Sequence, residues 1–71
     1  MTNSDGLIHA IEQKQEIDGL NLGEMAEKLR IAQSYLSMVY AGHRVPGRKF
    51  LAGVLKAYPE LADEVALFLS A

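Results

Sequence analysis

Hydrophobic positions recur three and four residues apart along almost the whole chain, which is the period of a helix. Nowhere do they alternate for more than a few residues, as a strand would require. Leu7, Ile8, Ala10 and Ile11 mark a first helix running to about Glu16, with Ser4 and Asp5 as its N-cap candidates. Asp18-Gly19 is a turn signal. Asn21 followed three residues later by Glu24 has the form of a capping box. The helix it opens carries Leu22, Met25, Ala26 and Leu29 and is predicted to end near Leu29 or Arg30. Arg30-Ile31-Ala32 reads as a three-residue break before a third helix from Gln33 to about Ala41, stopped by Gly42 in the left-handed conformation.

His43 to Gly47 is a loop, and Phe50, Leu51, Val54, Leu55 and Tyr58 form one face of a fourth helix. Pro59 ends that helix and suits the first turn of a fifth. The fifth has Leu61, Val65 and Phe68 on one stripe, and Glu60, Asp63 and Glu64 in its first turns, where the helix dipole favours negative charge. Five short helices with brief connections predict a single all-α domain over residues 1–71. Within it, residues 22–42 form two helices joined by a turn too short for an antiparallel hairpin. That is helix-turn-helix geometry, with Leu29, Ile31, Leu36 and Val39 closing the corner.

Composition narrows the classes. Seventy-one residues make a small core. The absence of cysteine excludes a disulfide framework and a thiolate metal site, and suits a cytoplasmic protein. No apolar run approaches the length of a membrane span, and the first residues lack the form of a signal peptide. His9 and His43 have no partners at metal-ligand spacing, and no serine sits in a recognisable nucleophile pattern. Neither an enzyme, a cofactor, a metal nor a small-molecule ligand is therefore expected.

The formal net charge of −2 conceals a segregation. Lys28, Arg30, Arg44, Arg48, Lys49 and Lys56 fall in a stretch without one acid, and every Asp and Glu lies before or after it. Such a block is an electrostatic footprint for a polyanion. Its centre, Ala32 to Gly42, has no charge at all. On a wheel of 3.6 residues per turn, Leu36 and Val39 point inward, while Gln33, Ser34, Ser37, Met38 and Ala41 point away. A helix with that outer face fits a major groove: Gln pairs with adenine N6 and N7, Ser with several base edges, and Met with a thymine methyl. Cations around a neutral reading element match a division in which phosphate contacts position and side chains read.

Residues 20–29 (LNLGEMAEKL), the run Ile31-Ala32-Gln33-Ser34-Tyr35-Leu36-Ser37 and the segment Gly42-His43-Arg44-Val45-Pro46 resemble the phage repressor and Cro type of helix-turn-helix domain, over about residues 7–58. The resemblance implies the five-helix lambda-repressor-like fold, binding of a dimer to double-stranded operator DNA, and a recognition helix starting at Gln33. It assigns base reading to Gln33, Ser34, Ser37 and Met38. It assigns phosphate contact to Arg44, Arg48 and Lys49, with Lys28 and Arg30 in support, and Tyr35 is expected half-buried with its hydroxyl open to a phosphate. Ala26 matches the small residue at the helix crossing. Four departures stand out. Arg30 replaces the usual turn glycine and Ala32 the usual Ser or Thr cap. Leu22 replaces a phosphate-touching Gln. Tyr40 and Gln15 stand where an acid and its arginine partner are usual, and are expected to form a neutral pair, because losing both charges leaves no buried ion uncompensated.

The fifth helix has more apolar positions than one face needs, and Ala66, Leu67 and Leu69 are expected to serve a homodimer interface. The function expected is sequence-specific transcriptional regulation of the bacterial or phage type. The alternative is a protein-interaction module on the same fold, an antirepressor or regulatory partner, favoured by the missing cap, the missing phosphate-contact Gln and the acidic total charge.

Overall fold

The computed structural model describes residues 3–70, with side chains from Gly6 onward. It is all-α, with no strand among the described residues: α1 (Asn3–Ile17), α2 (Leu22–Leu29), α3 (Gln33–Tyr40), α4 (Arg48–Ala57), a 3₁₀ turn (Pro59–Leu61) and α5 (Ala62–Leu69). Because α1 begins at Asn3, Ser4 and Asp5 stand inside its first turn rather than ahead of it. Any capping by their side chains lies outside the described residues.

The core is drawn from every helix. Leu7 and Ile11 of α1, Met25, Ala26 and Leu29 of α2, Leu36 and Val39 of α3, and Phe50, Leu51 and Val54 of α4 are buried together with Tyr58, Leu61 and Val65. Ile31, in the turn between α2 and α3, is half-buried against this cluster. Leu55 is a correction: it sits at the margin of the α4 stripe and is 38% exposed. The proline does not open α5 directly, since Pro59–Leu61 winds as one 3₁₀ turn before the α-helix begins at Ala62.

Three successive helices end in the same way. After α1, Leu20 N–H bonds to Gln15 C=O and Gly19 N–H to Glu16 C=O. After α2, Ile31 bonds to Ala26 and Arg30 to Glu27, and after α3, His43 bonds to Met38 and Gly42 to Val39. This is the Schellman arrangement, which satisfies carbonyls left over at a helix end and needs one residue in the left-handed conformation. Gly42 adopts it at φ 83°, while in the α2 turn Arg30 adopts it at φ 60° and ψ 44°. A side chain there costs about 1 kcal/mol relative to glycine.

At its other end, α2 is capped as the sequence predicts. Asn21 Oδ1 accepts from Glu24 N–H at 2.8 Å, and Glu24 Oε1 accepts from Asn21 N–H at 2.9 Å. The start of α3 has no side-chain cap, because Ala32 has nothing to offer. The α2–α3 unit is fastened to its neighbours instead. Tyr40 donates to Gln15 Oε1 at 2.8 Å, forming the neutral pair expected from the sequence. Burial holds the Tyr40 hydroxyl well above the ordinary tyrosine range, so it stays a donor.

Candidate nucleic-acid interface

The side chains of Gln33, Ser34, Ser37 and Met38 are exposed, while Leu36 and Val39 turn inward. The neutral outer face of α3 is therefore available to a partner along its whole length. Arg30, Arg44, Arg48 and Lys49 are exposed as well.

Arg30, Arg48 and Lys49 are brought together. With Ile31, Ala32, Tyr35 and Gly47 they line an open groove of about 540 Å³ between the α2–α3 turn and the start of α4. Two helix N-termini open onto it, α3 after Ala32 and α4 after Gly47, and neither carries a side-chain cap. The first N–H groups of each helix have no intrahelical partner, and the helix dipoles add positive potential at these ends. A phosphate in the groove would lie among three cationic side chains. Arg30 also borders a second hollow, beside Lys28, Gly53, Lys56 and Ala57. The cationic track thus extends to Lys56, which sequence reasoning counted in the basic block but gave no contact. Arg44 stands apart from both hollows, on the loop between α3 and α4.

That loop is held by Tyr35. Its hydroxyl donates to Val45 C=O at 3.3 Å and accepts from Gly47 N–H at 3.0 Å. Its ring packs edge-on against Phe50 at 6.0 Å between centroids. Tyr35 is half-buried as expected, but the hydroxyl's only proton is spent on the loop. In this arrangement Tyr35 fixes the backbone between Arg44 and Arg48.

Lys28, also given a phosphate role, has a partner within the fold. Its ammonium bonds to Asp18 Oδ2 at 3.0 Å and lies 4.4 Å from the centre of the Tyr58 ring. The Tyr58 hydroxyl donates to the same Asp18 oxygen at 2.6 Å. These bonds, from Tyr58 first and Lys28 second, hold the Asp18 carboxyl below its ordinary value, and the bond to Asp18 raises Lys28. Lys28 thus ties α2 to the α1–α2 turn and to the end of α4, and its charge is already answered. Lys14 pairs with Glu60 at 3.0 Å. Arg30, Arg44, Arg48, Lys49 and Lys56 make no ion pair among the described residues.

On α5, Leu67 and Leu69 are 68% and 65% exposed and Ala66 is exposed between them, while Val65 is buried and Phe68 half-buried. No described helix is long and apolar enough to cross a membrane. No protein-family model, curated protein or solved structure matches the chain.

Proposed function

We propose that this protein is a sequence-specific binder of double-stranded DNA, a cytoplasmic transcriptional regulator of the phage repressor and Cro type that lays α3 in the major groove. One observation carries the reading. The charge-free exposed face of α3 adjoins a groove rimmed by Arg30, Arg48 and Lys49, none of which is neutralised by a described acid. Gln33, Ser34, Ser37 and Met38 read base edges. Arg30, Arg44, Arg48 and Lys49 hold phosphates, helped by the open N–H groups of α3 and α4. A homodimer through Ala66, Leu67 and Leu69 places two copies of α3 about 34 Å apart, one turn of DNA. The protein performs no chemistry in this reading.

Selection from a random DNA pool tests it, and a palindromic winner is the expected result. On that site, Gln33→Ala relaxes preference at one base pair in each half-site, whereas Arg48→Ala weakens binding to every sequence and lowers the dimer's salt slope by about 2. Four phosphate contacts per protomer give the dimer a log–log salt slope of about −7. Equal weakening of all sequences by both substitutions refutes the division of roles.

The second reading is a protein-interaction module on this fold. Its support is the pair of exposed leucines on α5, together with the engagement of Lys28 by Asp18 and of the Tyr35 hydroxyl by its own loop. It requires a salt slope near zero on mixed-sequence DNA.

A further inference from the structure

Gln33 is exposed, yet its side chain does not hang free. Its carboxamide lies across the first turn of α2, over Gly23. A β-carbon built on Gly23 would stand 3.0 Å from Gln33 Oε1, tighter than ordinary contact so that the carboxamide must shift, and 3.7 Å from Gln33 Cδ, an ordinary contact. The same point is 3.5 Å from Asn21 Oδ1. That is an ordinary contact, and Asn21 is held in place beside it, its oxygen by the Glu24 N–H and its own N–H by the Glu24 carboxylate. The carboxamide thus has a seat whose floor is bare glycine backbone and whose wall is the capping box.

Glycine is an odd choice there on local grounds. It weakens a helix relative to alanine, and φ is not positive at this position, so no backbone requirement calls for it. Leu22, beside it, has no polar group with which to hold a neighbouring amide. What Gly23 supplies is room. A long flexible side chain that must present two bonds to one base loses rotamer freedom on binding, and a seat in the free protein reduces that loss.

We propose that Gly23 is a positioning residue for Gln33, the missing β-carbon seating the Gln33 carboxamide on α2 in the orientation used to read its base. The proposal rests on the DNA-reading role given to α3 above. A methyl group at this site displaces the end of the glutamine and leaves α2 and the cationic groove intact. Base discrimination then falls while fold and phosphate contact persist, a separation that a purely structural role for Gly23 would not produce.

The test compares the wild-type chain with Gly23→Ala, Gln33→Ala and the double variant, titrated on the selected site and on sites altered at each base pair. Gly23→Ala is expected to melt no lower than wild type and to bind mixed-sequence DNA equally well. It should lose about tenfold of discrimination at the one base pair that Gln33→Ala relaxes. The double variant should lose no more than Gln33→Ala alone. In parallel, nuclear Overhauser contacts between the Gln33 carboxamide protons and the Gly23 α-protons are measured in free wild-type protein, a readout that needs neither DNA nor a folded variant. Wild-type discrimination in Gly23→Ala overturns the inference alone, as does the absence of those contacts. Failure of the wild-type chain to prefer any DNA sequence overturns the reading of α3 and the inference with it.

Discussion

Asp18 Oδ2 accepts from both Tyr58 and Lys28, and that makes this carboxylate a contributor to acid sensitivity. An unfolded aspartate titrates near 3.9, and in the fold the Tyr58 and Lys28 bonds hold Asp18 lower. A group shifted down contributes stability that is complete above its unfolded value and lost as pH falls through the folded one. Asp18→Asn is expected to melt below wild type at pH 7, with the gap closing as pH drops under about 4. Thermal melts between pH 7 and 2 check this, and a gap that stays constant would remove Asp18 from the account. Arg30 and Ala32 are testable at the same scale, since each departs from what its position favours locally. Arg30→Gly should relieve left-handed strain and gain up to about 1 kcal/mol, and Ala32→Ser should gain about 0.5–2 kcal/mol by capping α3. If the DNA reading holds, only Arg30→Gly also weakens binding, because only it removes a cation from the groove. Melting and DNA titration of the two variants separate strain from function.

At the scale of elements, α2 and α4 meet where a β-carbon on Gly53 would overlap the Leu29 carbonyl oxygen. The obstacle is backbone, which cannot swing aside as a side chain does. Gly53→Ala must therefore part the two helices, and is expected to destabilise by roughly 1–3 kcal/mol in denaturant unfolding. A neutral result would mean that α4 slides freely on α2. The capping box, the break at Arg30–Ala32, the stop at Gly42 and the inward turn of Leu36 and Val39 were legible in the sequence, because each depends on neighbours within a turn or two. The Gln15–Tyr40 bond was legible only as two linked departures from a familiar pattern. The Gly53 contact, the Lys28–Asp18–Tyr58 cluster and the grip of Tyr35 on its loop were not. They join residues 10 to 40 apart in the chain, and periodicity does not say which polar atoms a fold will bring within 3 Å. In the candidate site, the exposed face of α3 was evident from spacing. The groove shared by Arg30, Arg48 and Lys49 was not, since it exists only once α4 docks beside the turn.

At the scale of the whole molecule, the ion pairs decide where positive charge remains. Lys14 and Lys28 are answered by Glu60 and Asp18, leaving the unpaired cations on the α2–α3 turn, the following loop and α4. An acidic protein can approach a polyanion if its positive charge is gathered on one side, and contact through it is weakened by salt. The proposed self-association belongs to this scale as well. Leu67→Lys with Leu69→Lys places charge on an exposed part of α5, so folding should survive while dimerisation and tight binding to a palindrome are lost. Sedimentation of the variant as wild type would exclude α5 as the interface.

The exposed face of α3 takes no part in the hydrogen bonding of the fold. No hydrogen bond to a described residue involves the side chains of Gln33, Ser34, Ser37 or Met38. Tyr35, Leu36, Val39 and Tyr40 meanwhile bind the same helix to the core, the loop and α1. Two interleaved alphabets therefore share eight residues, one spelling the fold and the other left blank for a partner. Under the proposed reading, rewriting the second, with Gly23 matched to whatever replaces Gln33, would retarget the molecule without disturbing its architecture.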